Sequence, residues 1–120
     1  MIRLVYCVSR REDVPIEDFR RFWNDEHFSS LLKEYNKVYK TTGIKKNLVL
    51  KVPMNAIILE RQGTRKPYDG VIEMWWDSAK ELVAVDETPE AAELRRRIEE
   101  YEKQFIDKSR STLFFTEYLE

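Results

Sequence analysis

Apolar positions recur at every second residue in four short stretches of the chain and at every third or fourth residue in two longer ones. The first alternating stretch, Ile2 to Ser9, puts Ile2, Leu4, Tyr6 and Val8 on one side and Arg3, Val5 and Cys7 on the other. Apolarity on both sides predicts a central strand covered on both faces. Arg10 to Val14 is a charged connector. Pro15 suits a helix start, and Glu17 and Asp18 follow where the macrodipole favours negative charge. Helical spacing then runs to about Tyr39. Its stripe begins with Phe19, Phe22, Trp23 and His27 and continues at a shifted angle through Phe28, Leu31, Leu32, Tyr35 and Val38. The weak helix formers Asn24, Asp25, Ser29 and Ser30 predict a bend near Phe28 to Ser30. Gly43 is available to end the element in a left-handed conformation.

Ile44 to Val52 reads as the second strand, with Leu48, Leu50 and Val52 on one face and Pro53 as its stop. Met54 to Asp69 is the least regular part, with Ala56 to Leu59 open to a short helix or an extra strand. Its basic end, Arg61, Arg65 and Lys66, is punctuated by Gly63 and Pro67. A connection of this length reads as a pocket lid or as a helix packed on the sheet edge. Tyr68-Asp69-Gly70 turns into the third strand, Val71 to Trp76. Ser78 and Glu81 have the spacing of a capping box for a short helix. Thr88-Pro89 opens a longer helix with Ala91, Leu94, Ile98, Tyr101 and Phe105 on its apolar face. Thr112 to Leu119 is the last strand.

The order is β-α-β-β-α-β, an α+β chain of ferredoxin-like type: a four-stranded antiparallel sheet with helices on one face. The other face also carries apolar residues, and a second copy of the same sheet is the simplest cover. The expected assembly is therefore a homodimer through the open sheet face. A length of 120 residues suits one domain spanning residues 1–120.

Charge and composition narrow the function. The 21 basic and 22 acidic side chains balance, which argues against nucleic-acid binding. Arg95-Arg96-Arg97 sits among Glu93, Glu99 and Glu100 and reads as a solvated helix face. No apolar run approaches membrane-spanning length, and Met1 to Tyr6 lacks a signal-peptide pattern, so a cytoplasmic place without membrane contact is expected. Cys7 and His27 are the single cysteine and histidine, which leaves no Cys/His metal site in prospect. Three glycines supply no phosphate-cradling loop, so no nucleotide or dinucleotide cofactor is expected; the leading expectation is no cofactor at all, with a flavin or haem held by shape alone as the open alternative.

What remains is acid–base chemistry on a small molecule in an apolar pocket. His27 is the leading proton carrier, because its spacing puts it on the stripe of Phe19 and Trp23. Asp69 and Glu117, at strand ends, are candidate orienting carboxylates. Glu73, inside an apolar strand, either has a raised pKa or pairs with a basic side chain across the sheet. Tyr6, Tyr68 and Tyr118 are candidate donors to a developing oxyanion, or buried rings with surface hydroxyls. Phe19, Trp23, Trp75 and Trp76 suit stacking on a flat substrate and suit a core equally well.

Three features together resemble the EthD family of the dimeric α+β barrel superfamily. They are Phe19-x-x-x-Trp23-x-x-x-His27, Tyr68-Asp69-Gly70 before the third strand, and Phe105-Ile106-Asp107 ahead of a strand ending Thr116-Glu117. The resemblance covers nearly the whole chain; where the family often has a small residue and proline after the histidine, this chain has Phe28-Ser29. It implies sheet-to-sheet pairing of two subunits and a pocket between sheet and helices lined by Trp23 and His27. Members accompany degradation of ethers and aromatics. Related barrels are polyketide cyclases, dehydratases, muconolactone isomerases and cofactor-free or haem-using monooxygenases. The expected function is a cofactor-independent cyclase, dehydratase, isomerase or lyase acting on an apolar or aromatic-derived molecule. A non-catalytic binding protein and a monooxygenase, with His27 as haem ligand in the haem-dependent case, are the alternatives.

Overall fold

Each stretch of alternating apolarity becomes a strand. A computed structural model describes residues 1–118. Strands β1 (Ile2–Val8), β2 (Gly43–Leu48), β3 (Gly70–Trp76) and β4 (Thr112–Glu117) form one antiparallel sheet in the order β2-β3-β1-β4. β1 sits in the middle, pairing Ile2 with Trp76 on one side and with Glu117 on the other. Helices α1 (Ile16–Asn24) and α2 (Glu26–Tyr39) follow β1, α3 (Pro53–Gln62) joins β2 to β3, and α4 (Leu82–Asp86) and α5 (Pro89–Glu102) lead to β4. This is the ferredoxin-like arrangement, with α3 and α4 as additions. Leu119, assigned to the last strand from the sequence, lies outside the described residues.

The alternation decides what each face meets. Leu4, Tyr6 and Val8 of β1 and Ile72, Met74 and Trp76 of β3 are buried on the helix side. Phe19, Trp23, Phe28, Leu32, Ala91 and Phe105 pack on them. On the opposite face Arg3, Val5, Cys7, Val71 and Glu73 stay partly exposed and Phe114 is 46% exposed. Among the described residues no helix is long and apolar enough to cross a membrane.

Local chemistry fixes the elements. Thr88 accepts from the Ala91 N–H at 3.2 Å and Pro89 fills the first turn, so α5 starts where the sequence placed it. Gly70 has to be glycine. A Cβ there would stand 2.6 Å from the Trp23 ring, so the indole lies directly on the β3 backbone.

Four boundaries differ from those read in the sequence. The first long helix breaks at Asp25, not near Phe28 to Ser30, because Asp25 is extended (φ −65°, ψ 141°) and its side chain accepts from the His27 N–H at 2.8 Å. Both new helix ends have partners there: Asp25 caps the start of α2, and Lys46 Nζ donates to the Trp23 carbonyl at the end of α1. Lys40, at φ 55°, takes the left-handed cap of α2, and Gly43 instead opens β2 beneath the Trp75 ring. β2 ends at Leu48; Leu50 and Val52 leave the sheet and Pro53 starts α3, which Gly63 ends at φ 64°. Ser78 Oγ accepts from the Lys80 N–H at 3.0 Å, two residues on, so it closes a turn and α4 begins only at Leu82.

Candidate functional site

The break at Asp25 relocates the histidine. Phe19 and Trp23 stay buried, but one non-helical residue re-phases the next helix, so Phe28 turns inward and His27 is exposed. The expectation that His27 shares the core-facing stripe is corrected. Its ring packs 5.2 Å from that of Tyr101, and it lines none of the described cavities.

The other candidates scatter. Phe19 and Trp23 stack at 5.4 Å inside the core, where the Trp23 Nε1 lacks a hydrogen-bond partner. Trp76 is buried and donates to the Tyr39 carbonyl at 2.8 Å, while Trp75 lies on the opposite face with Lys45 5.9 Å from its ring. Glu73 pairs with Arg3 across the sheet at 3.3 Å, the salt-bridge alternative of the two read from the sequence. Tyr118 is 49% exposed with the Arg3 guanidinium 5.5 Å from its ring, and Glu117 is exposed. Asp69 Oδ2 accepts from the Arg10 N–H at 2.7 Å, and Tyr68 accepts from Thr112 Oγ1 at 3.3 Å. These two line the largest of the described clefts, about 710 Å³. Its walls are half-buried to exposed basic and hydroxyl side chains, and its carboxylates are engaged: Asp69 by the Arg10 amide and Glu12 by Arg110. Size therefore does not make that cleft the chemical centre.

A smaller cavity, about 150 Å³, lies between the sheet and helices α2 and α5. Leu4, Ile72, Met74, Phe28, Leu32 and Ile98 line it with apolar surface, and Tyr6 is the one sequence-nominated side chain that reaches it. Here a carboxylate is buried. Glu102, at the end of α5, is 2% exposed, and its Oε1 accepts from Lys108 Nζ at 2.7 Å. Among the described residues Oε2 makes no hydrogen bond. Lys108 leans over the Tyr6 ring at 4.9 Å. The Tyr6 hydroxyl is buried and has no hydrogen-bond partner within normal geometry. Burial first, and the Glu102 charge second, hold its pKa far above that of an ordinary phenol.

Sequence reading missed Glu102 and Lys108. A signal was present, because Leu94, Ile98 and Glu102 fall at i, i+4 and i+8 on one stripe. An unpaired carboxylate is rarely buried, and its partner Lys108 lies beyond the turn that follows α5, where helical spacing no longer applies.

The arrangement brings together a carboxylate with a free oxygen, a neutral phenol and a cation at one end of an apolar cavity. A carboxylate removed from water accepts a proton from substrate without competing hydration, and a phenol that resists ionisation donates a hydrogen bond over the whole neutral range. Among the described residues no three or more His, Cys, Asp or Glu side chains come together to hold a metal ion.

The relatives agree with the fold. The family model described as the EthD domain matches residues 11–109. An EthD family protein from Bacillus halodurans C-125 superposes with a TM-score of 0.62 at 17% identity, covering 99% of each chain. A dimeric protein of unknown function and ferredoxin-like fold from Bacteroides fragilis NCTC 9343 gives 0.61 at 11%, covering 98% of this chain and 95% of that one. A protein from Arabidopsis thaliana gives 0.63 at 10%, covering 100% and 97%. No curated protein matches. With a family model spanning most of its length and a ferredoxin-like α+β sheet beneath it, this chain belongs to the EthD family.

Proposed function

We propose that this protein is a homodimeric enzyme that moves a proton on a small, single-ring-sized apolar molecule held between sheet and helices. The observation that carries the reading is the buried Glu102 carboxylate beside the unpartnered Tyr6 hydroxyl in an apolar cavity. The volume of about 150 Å³ matches that of apolar cavities that accept benzene-sized ligands. Glu102 takes a proton from a carbon next to a carbonyl. The C–H electron pair moves into the enolate, and Tyr6 donates a hydrogen bond to its oxygen. Lys108 holds the carboxylate and balances its charge. Isomerisation of enones, aldol cyclisation and dehydration of β-hydroxy ketones can each begin with this step. The dimer is supported by the apolar residues left on the open sheet face.

Cyclohexanone in deuterated water tests the chemistry. The wild-type protein should speed deuterium incorporation beside the carbonyl, and Glu102→Gln should slow it about 100-fold or more while p-cresol still binds. Equal incorporation by a folded Glu102→Gln protein would overturn the base role. Binding of p-cresol without any catalysed exchange would make the protein a binder. Light scattering tests the dimer.

A further inference from the structure

Among the described residues two apolar surfaces are left largely uncovered, and they lie at opposite edges of the sheet. The first is the arm that follows β2. Leu50, Val52, Met54, Ile57 and Ile58 are between 40% and 63% exposed, and α3 has no buried residue. From Val52 through Leu59 the arm carries no charge. A helix of ten residues does not hold itself together in water, because isolated helices below about 12–15 residues are marginal. Its Pro53 start and Gly63 end define a helix, so what it lacks is a surface to pack on.

The second surface is β4. Leu113 and Phe115 align with Tyr6 and Leu4 in the sheet register and therefore point to the helix side, yet they are 58% and 53% exposed. Leu113 also lines the Glu102 cavity, so this end of the strip borders the cavity's mouth, while Phe115 at the other end meets the Trp76 ring at 5.9 Å.

The arm does not reach this strip within one chain. β2 and β4 are separated by β3 and β1, about 14 Å across three strand spacings, and among the described residues α3 has no extensive packing on β4. In a face-to-face dimer with its two-fold axis parallel to the strands, β2 of one copy comes beside β4 of the other, running antiparallel to it. The symmetry makes this contact twice. An axis across the strands would set arm against arm and leave both β4 strips bare.

We propose that α3 of each subunit docks in trans over the partner's β4, with Ile57 and Ile58 against the partner's Leu113 and Phe115, and closes the mouth of the partner's Glu102 cavity. The ligand site is then built from two chains. This rests on the dimer and cavity of the proposed function and adds which segment completes the site.

The test starts from Cys7→Ser, which removes the only native thiol. Single-cysteine variants Ile57→Cys and Leu113→Cys are mixed, allowed to exchange subunits and treated with a short bismaleimide. A mixed cross-linked dimer is expected, since neither variant can form that link within one chain. A dimer by light scattering with no mixed link would overturn the trans arm and leave the dimer standing. A monomer would overturn both. As a second readout, the thiol of Leu113→Cys should react slowly with a monofunctional maleimide, and severalfold faster once Ile57→Asp and Ile58→Asp are added. Equal rates in a dimer would mean that the arm does not cover β4.

Discussion

The aromatic cluster beneath the sheet and the α3 arm are equally apolar in sequence and opposite in structure. Phe19, Trp23, Phe28 and Phe105 are 0–1% exposed, and their rings meet at 5.4–5.7 Å. Met54, Ile57 and Ile58 are 43–51% exposed. The cluster draws on α1, α2 and the turn after α5, so every ring has neighbours from other segments. The arm is one segment with nothing brought to meet it. Apolar composition selects what is worth burying, and convergence of several segments decides whether it is buried.

The sharpest way to break this contrast is Phe105→Ala. It empties the point where α1, α2 and α5 meet, and a loss of about 3–5 kcal/mol is expected in urea unfolding. A loss below about 1 kcal/mol would mean the cluster is not the keystone. Next comes Gly70→Ala, whose methyl group has to displace the Trp23 indole. It should cost about 1–3 kcal/mol, and adding Trp23→Phe should recover part of that.

How much of this could be read from the sequence follows from the same contrast. Strand faces were legible because alternation assigns each residue a side with no further information, and the Arg3–Glu73 pair follows from two strands in register. The position of His27 was not. Each helical residue advances about 100°, so the single extended residue Asp25 was enough to turn the histidine outward and Phe28 inward. Tyr6 was legible as an inward side chain, but its neighbours Glu102 and Lys108 come from the far end of the chain and depend on how α5 ends. The unpacked state of α3 was equally invisible, since its composition suits a packed helix as well as a bare one.

A third test compares the buried and exposed regions through pH. Tyr6 has its pKa raised by burial and by Glu102, Tyr35 chiefly by burial, and Tyr101 is pushed up to about 12, again chiefly by burial. A phenol raised in the folded state binds its proton longer than in the unfolded state. Its contribution is therefore complete below about pH 10 and is lost as pH rises from there toward the folded value. Stability should fall by about 1.4 kcal/mol per pH unit for each of the more deeply buried phenols, Tyr6 and Tyr35, while it stays protonated, and by less for the more exposed, solvent-screened Tyr101; Tyr6→Phe should remove one full increment from the slope. An unchanged slope would mean that Tyr6 is free to ionise. The smallest effect belongs to the arm. At dilutions where light scattering shows only monomer, Ile58→Ser should change stability by less than about 0.5 kcal/mol. A larger loss would show that α3 packs within its own chain.

The place of β1 in the sheet also governs how the molecule reaches this state. β1 is the first strand in the sequence, and both of its partners come late. The Arg3–Glu73 bond spans 70 residues and the Thr116–Arg3 bond 113. No hairpin of neighbouring strands can form early around it, so the central strand waits until almost the whole chain has been searched. Such long-range closures put folding in the slower range of small domains, milliseconds to seconds by about the usual topology scaling. During that interval the uncharged run from Thr112 to Thr116 is an unpaired strand, open to pairing with another unfolded chain. The rate at which β1 captures β4 therefore sets how much of the protein survives refolding at high concentration.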